Sequence, residues 1–327
     1  MKAAWYNKFG SANEVLEVGE MQTPKPKSGE VKIRIKASGV NPSDTKKRNG
    51  ANPVLLDAGA VIPNSDGAGI IEAVGSGVPH SRIGERVWVY NGQYGRQHGT
   101  SAEYICIASE QAVFLPDNAS FETGAMMAIP AMTAHRAVFS DGSVKNKIVL
   151  VTGGAGRVGY YAIQWAKHGG ATVIATASSP RSTEECYNAG ADLVVEHPSE
   201  IVNTQIMEFT NNKKIDRVVE GDFGANLLPI LDIIKTSGVI ASYSSMTDMN
   251  PSIPFVRMMF MDLTLRLVLV YAMPTEAKDA AIKDITQYLT MNKLHNRVAA
   301  TYPLKDIVKA HEDIEKSRGY GSVILTL

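Results

Sequence analysis

The chain reads as α/β: a β-rich part into which a doubly wound parallel-sheet domain is inserted. Three observations predict this. An early stretch alternates apolar and charged residues with a period of two, and the middle repeats short apolar runs followed by helical stretches. A glycine-rich turn joins the first of these runs to its helix. At 327 residues the chain also exceeds one typical core, so two domains are expected.

The elements follow in order. Val31, Ile33, Ile35 and Ala37 alternate with Lys32, Arg34 and Lys36, which predicts a strand with one buried face. Short strands are expected at 69–74, 86–90 and 102–108, separated by turns such as Gly75-Ser76-Gly77. Ile148 to Thr152 is a short apolar run, the signature of a strand buried on both faces. The glycine turn comes next, then a helix from Val158 to His168 that Gly169-Gly170 stops. Residues 172–177 give the second strand of this domain. Ser179 then suits a helix N-cap, and Pro180 suits the first helical position, where its missing N–H costs nothing. Residues 193–195, 217–220 and 239–243 read as further strands with helices between them, and 263–271 as a sixth. A helix around 307–316 and a strand at 322–327 are assigned back to the β-rich part, which makes the strand–helix domain an insertion.

Composition excludes several function classes. Lys plus Arg equals Asp plus Glu at 33 each, so no broad field attracts nucleic acid or an anionic membrane. The one tight basic run, Lys46-Lys47-Arg48, reads as a solvated face. Two cysteines, Cys106 and Cys186, are too few for a disulfide framework and suit a reducing compartment. The first eight residues lack the apolar run of a signal peptide, and the apolar segment 263–273 is too short to span a bilayer. A cytoplasmic protein is the expectation.

Gly154-Ala155-Gly156-Arg157-Val158-Gly159 matches GxGxxG, with Gly153 ahead of it. It follows an expected strand and opens an expected helix, the context in which the motif binds a dinucleotide. Small residues let the backbone approach a pyrophosphate, and the helix N-terminus supplies N–H groups and partial positive charge. An NAD-selective site expects an acidic residue at the end of the next strand. This chain has Ala177-Ser178-Ser179-Pro180-Arg181 there. No carboxylate repels a 2′-phosphate, Ser178 can donate to it, and Arg181 can add charge-assisted contacts, so NADPH is the expected cofactor. The bland alternative makes Ser179 a helix cap and Arg181 a solvated surface residue.

Further motifs lie in order along the chain. They include Gly39-Val40-Asn41-Pro42-Ser43-Asp44, Gly67-Ala68-Gly69, Val74-Gly75-Ser76-Gly77-Val78, Gly84-Glu85-Arg86-Val87, Ala189-Gly190-Ala191-Asp192, Tyr302-Pro303-Leu304-Lys305 and Ala310-His311. With the glycine turn, they make the chain resemble the zinc-free quinone oxidoreductases, the ζ-crystallin-like branch of the medium-chain dehydrogenase/reductase superfamily. The resemblance implies a GroES-like catalytic domain over 1–125 plus 272–327, with a Rossmann NADPH-binding domain inserted over 126–271. Zinc-dependent relatives place Cys where Asn41 stands and Gly-His-Glu where Asn64-Ser65-Asp66 stands, so no metal is expected.

Site residues carry over by position. Asn41 and Asp44 match the polar pair lining the family's cleft, and Thr133 a threonine near the nicotinamide. Ser178 and Arg181 match its 2′-phosphate contacts, with Ser179 beside them. His197 falls where relatives often have Tyr, and Ser242 to Ser245, including Ser244, match a loop near the nicotinamide ribose. Arg318 matches a basic residue reaching the cofactor. Arg157 stands where the family usually has a small residue. Bland readings stand beside these: Asp44 can cap a helix, Thr133 can bond its own backbone, His197 can be ordinary surface and Arg318 a solvated helix end. The missing tyrosine near position 46 leaves the substrate open, and Tyr94 either lines the pocket instead or is ordinary loop packing.

The reaction expected is hydride transfer from NADPH to a quinone, with solvent providing protons. The alternatives are reduction of an activated C=C bond in an enal, enone or enoyl thioester, or a non-catalytic NADPH- or RNA-binding role. A homodimer is expected, with 263–271 pairing edge to edge across a two-fold axis.

Overall fold

Period-two alternation forces one face of each early strand inward. The computed structural model describes residues 1–198, 201–317 and 319–327. The chain divides into two units, one of residues 1–129 and 282–327, the other of 130–281. The first unit opens with strands β1 (Lys2–Trp5), β2 (Glu17–Glu20), β3 (Glu30–Val40), β4 (Asp66–Val74), β5 (Arg86–Val89), β6 (Tyr104–Ala108) and β7 (Ala112–Phe114). The second holds β8 (Ile148–Val151), β9 (Thr172–Ala177), β10 (Leu193–Glu196), β11 (Ile215–Glu220), β12 (Ile234–Ser242) and β13 (Thr264–Leu267). The chain then returns to the first unit for β14 (Val298–Pro303) and β15 (Ser322–Thr326).

In the first unit a mixed sheet runs β14-β15-β3-β4-β5-β7, with β6 also paired to β3, and β1 and β2 form a separate pair. Val31, Ile33 and Ile35 of β3 are almost wholly buried and pack with Ile71, Val87, Val89, Ile105 and Ile107. Each such side chain contributes about 2 kcal/mol on leaving water. The helix Ile307–Glu315 lays Ile307, Ala310 and Ile314 on a second cluster with Val323 and Leu325.

In the second unit all six strands pair in parallel, in the order β10-β9-β8-β11-β12-β13. The chain leaves β8 outward to β9 and β10, then crosses to β11 on the other side. That reversal puts a switch point between β8 and β11, where open α/β sheets bind ligands at the carboxyl ends of their strands. Leu150, Ile174, Val218 and Ile240 share one core with Phe223, Leu227 and Ile230 of the helix Phe223–Ile233.

An ionic cluster anchors the sheet. Arg217, on β11, donates to Asp141 Oδ2 at 2.9 Å and to Ala137 O at 2.7 Å, and Arg266, on β13, donates to Asp141 Oδ1 at 2.9 Å. Burial pushes the Asp141 carboxyl up, but hydrogen bonds from Arg266, Ser140 and Arg217 outweigh it and hold it well below the usual range.

The expected strand over 263–271 shrinks to Thr264–Leu267. Val268 N donates to Ser242 O at 2.7 Å, and Val270–Ala272 then coil into a short 3₁₀ turn, ending the ladder. Among the described residues no helix is long and apolar enough to cross a membrane.

Candidate active site

The glycine turn is built by close approach. Gly153 adopts φ 59°, a left-handed conformation suited to glycine. Its N–H reaches Thr176 Oγ1 at 2.9 Å, and the Gly154 N–H reaches Thr176 O at 2.9 Å, stitching the turn to β9. A Cβ on Gly154 would meet Ala175 Cβ and Cys186 Sγ at 2.8 Å, and one on Gly159 would meet Gly153 O at 2.4 Å. Those two glycines let the helix lie against the sheet and the turn. Gly156 is the N-cap of the helix Arg157–His168, and no side chain caps the first turn. A Cβ on Gly156 would meet only Gly153 O, at 3.1 Å. The cradle is therefore shaped by backbone and carries the positive end of a twelve-residue helix, with Ala155, Arg157 and Val158 around it. It fits a pyrophosphate.

The end of β9 is equally informative. Ser179 Oγ accepts from Ser182 N at 3.2 Å, and Ser182 Oγ accepts from Ser178 N at 3.0 Å and Ser179 N at 2.8 Å. Ser179 thus serves the helix Pro180–Asn188 as its cap, the bland alternative, and Ser182 is the partner that the sequence did not suggest. Ser178 and Arg181 are exposed beside it, and no carboxylate occupies the strand end. His197 is exposed, with its N–H on Ala177 O at 2.7 Å. Thr133 is buried at the start of the helix Thr133–Phe139. Ser242 Oγ donates to Ser244 O at 3.1 Å, tying down the loop after β12. Arg318 lies outside the described residues.

Sequence reading missed Glu220. It ends β11 at the switch point and is wholly buried. Its Oε1 accepts from Asn226 Nδ2 at 2.9 Å and from Asp222 N. Burial raises its carboxyl above the usual range. The only sequence signal was an acid ending an apolar strand.

The first unit holds a buried polar cluster. β3 ends at Val40, Asn41 caps the helix Pro42–Lys46, and Asp44 Oδ2 reaches back to accept from Asn41 N at 2.9 Å. Asn41 Nδ2 and Ile129 N both donate to Asp66 Oδ2, each at 3.0 Å. No described group donates to Asp66 Oδ1. Asn64 Nδ2 donates to Ser38 Oγ at 3.1 Å, and Thr100 Oγ1 to Asp66 O at 2.6 Å. Asn41 and Asp44 are therefore both interior, and Asp44 is occupied in holding the helix start.

Lys46-Lys47-Arg48 departs from the solvated face read in the sequence. Arg48 is wholly buried, bonded to Gly10 O at 3.0 Å, to Glu315, and to His311 Nδ1 at 3.5 Å. Lys47 turns inward. Its Nζ lies 2.9 Å from Gln93 O, 3.1 Å from Ser65 Oγ and 3.3 Å from Asp44 Oδ1. Only Lys46 of the three is exposed. Two carboxyls thus share one ammonium out of water, and the charges do not balance. Burial pushes Asp44 up against the pull of Lys47, and pushes Asp66 up further, with the charge of Asp44 adding to it. Burial also pushes Lys47 down, against the pull of Asp44. Oδ1 of Asp66 is an oxygen of this cluster without a donor among the described groups.

Comparison with known proteins agrees with this arrangement. Residues 27–117 match the alcohol dehydrogenase GroES-like domain, and residues 158–287 match the zinc-binding dehydrogenase domain. A quinone oxidoreductase of Sus scrofa is 30% identical over 334 residues, covering 100% of this chain and 98% of that protein. A 2-haloacrylate reductase of Burkholderia sp is 27% identical, covering 99% and 98%. The crystal structure of Escherichia coli quinone oxidoreductase complexed with NADPH superposes with a TM-score of 0.88 at 26% identity, covering 100% of both chains. By fold, motifs and full-length similarity, the chain belongs to the quinone oxidoreductases of the medium-chain dehydrogenase/reductase superfamily.

Proposed function

We propose that the protein is a zinc-independent NADPH:quinone oxidoreductase. The observation that carries the choice of cofactor is the end of β9, where Ser178 and Arg181 stand exposed and no carboxylate opposes a 2′-phosphate. When bound, NADPH supplies a hydride. The chain's own part is to seat the pyrophosphate on the turn Gly153–Gly159, steer the adenosine end through Ser178 and Arg181, and hold the nicotinamide end near Thr133 and the Ser242–Ser244 loop. Arg157 adds positive charge beside the phosphates. Michaelis constants for NADPH and NADH with a simple quinone test the reading. A lower constant for NADPH is expected, and an equal or lower one for NADH overturns it.

A second reading is reduction of an activated C=C bond. The similarity to a 2-haloacrylate reductase favours it. Parallel assays with a quinone and an enone separate the two. An RNA-binding role loses its basic run, because Lys47 and Arg48 point inward.

Metal independence rests on Asn41 and Asn64-Ser65, which offer neutral amides and a hydroxyl where zinc needs thiolate and imidazole. Stoichiometric zinc in the purified protein refutes it. The homodimer rests on β13, the edge of its sheet, where Leu267 is 75% exposed, and on Phe260, 80% exposed just before it. A monomeric mass by light scattering contradicts it. Two buried cysteines, neither in a disulfide, suit a cytoplasmic setting.

A further inference from the structure

At the switch point of the second unit the hydrogen-bond donors of the strand ends are spent on the protein itself. Gly153 N reaches Thr176 Oγ1 and Gly154 N reaches Thr176 O, each at 2.9 Å. Thr152 N goes to Val219 O at 3.0 Å, and Gly221 N to Thr152 Oγ1 at 2.9 Å. Asp222 N goes to Glu220 Oε1, Phe223 N to Ser244 O at 3.0 Å and Gly224 N to Ser245 Oγ at 2.9 Å. The ends of β8 and β11 are zipped together, and residues 152–154 and 221–224 keep no backbone N–H for a ligand lying over them.

Tyr243 is the exception among these groups. It follows β12 directly, and its N–H holds Glu220 O at 3.2 Å. Its ring leans back over the end of β11: a Cβ on Gly221 would meet the Tyr243 hydroxyl at 2.8 Å and Cζ at 3.4 Å, with Thr152 O at 3.7 Å. Glycine at 221 is what lets the phenol come so close. The residue is half-buried, and no described group pairs with its hydroxyl. The ring packs over β11 with or without that oxygen, so the hydroxyl holds nothing in the scaffold and phenylalanine would serve the fold equally well.

We propose that Tyr243 binds the cofactor, its hydroxyl donating a hydrogen bond to a phosphate or ribose oxygen on the nicotinamide side of the dinucleotide. The inference rests on the NADPH reading of the glycine turn and adds a contact to the half of the cofactor opposite the 2′-phosphate. The side follows from strand order. The cradle ends β8, and Ser178 and Arg181 lie at the end of β9, on one side of it. The other half of the dinucleotide leaves the cradle toward β11, where the phenol stands. Asp222 fixes the loop that carries the tyrosine, accepting from Met246 N at 2.8 Å and from Thr247 N at 3.1 Å, so the donor is in place before the cofactor arrives. Burial, with the nearby Glu220 carboxyl, pushes the Tyr243 pKa up, and the hydroxyl therefore keeps its proton.

The test uses the full-length protein and calorimetric binding, without turnover. Tyr243→Phe removes only the hydroxyl and should leave the denaturant unfolding midpoint unchanged. NADPH should bind the variant about tenfold more weakly, the range of one hydrogen bond. Adenosine 2′,5′-bisphosphate lacks the nicotinamide-side phosphate and ribose and should bind both proteins alike. 2′-Phospho-ADP-ribose keeps both groups but lacks the nicotinamide ring, and it should lose the same factor as NADPH. Wild-type NADPH affinity in the variant overturns the proposal. So does an equal loss for NADPH and the bisphosphate, which marks a general disturbance of the cradle. An unweakened 2′-phospho-ADP-ribose beside a weakened NADPH also overturns it, because the contact then goes to the ring. NADH should lose the same factor as NADPH, since the contact is remote from the 2′-phosphate. Equal wild-type affinity for NADPH and NADH, both weakened in Tyr243→Phe, refutes the choice of NADPH and supports the tyrosine contact. A wild type that binds neither dinucleotide removes both.

Discussion

The two units each bury an ionic cluster from the same ingredients, and the clusters behave in opposite ways. In the second unit Asp141 faces two arginines, Arg217 and Arg266, and its carboxyl is held well below the usual range. Arginine does not deprotonate, so this cluster is fixed in one charge state and joins β11, β13 and the helix Thr133–Phe139. In the first unit two carboxyls, Asp44 and Asp66, share one lysine, and both are pushed up while the lysine is pushed down. With an acid in excess and a cation that can lose its proton, this cluster is not fixed in one charge state. Cation type and the count of acids, rather than burial, separate the fixed cluster from the titratable one.

Identical substitutions in the two clusters sharpen that contrast. Asp141→Asn strands the buried guanidinium of Arg217, and the partly exposed one of Arg266 loses its partner, so it is expected to cost about 3 kcal/mol of stability by denaturant unfolding. The same change at Asp66, where burial already disfavours the charged carboxylate, puts in a near-isosteric neutral amide and should cost less than about 1 kcal/mol. Equal losses break the comparison.

Between these extremes lie two further effects. Gly156→Val meets only Gly153 O in the protein but fills the cradle, so the fold should survive while NADPH affinity falls about 100-fold, or roughly 2.7 kcal/mol. Wild-type affinity in this variant removes the proposed site. His311 supplies a pH test. Burial, with the charge of Arg48, lowers its pKa from 6.5 to about 3. The unfolded chain therefore takes up a proton below pH 6.5 that the folded one refuses. Stability from this group is full above pH 6.5 and is lost as pH falls toward 3. Between pH 7 and 5 the wild type should lose about 2 kcal/mol more than His311→Gln, measured from denaturant midpoints. Parallel losses contradict the assignment.

Much of the scaffold was legible because its signals are local. Val31, Ile33 and Ile35 alternate, Ile148 to Val151 form a continuous apolar run, and Ser179-Pro180 announces a cap; each depends on neighbours a few residues away. The glycine turn was legible for the same reason. The strands β1, β2, β7 and β14 were not, since they carry weak alternation and are held by partners distant in sequence. The inward turn of Lys47-Arg48 was hidden in the same way. Arg48 finds Glu315 and His311 more than 260 residues on, and nothing in the local run of three cations distinguishes the exposed one from the buried pair. Segment 263–271 was over-extended because apolarity alone does not show where the ladder stops.

The central claim is that the chain is built for NADPH. Equilibrium titration of the wild-type protein with NADPH and NADH, by calorimetry at one ionic strength, tests it most directly. A 2′-phosphate gaining charge-assisted bonds from Ser178 and Arg181 is worth about 1.5 to 3 kcal/mol, so NADPH should bind at least about tenfold more tightly. Equal affinity, or tighter binding of NADH, contradicts the account.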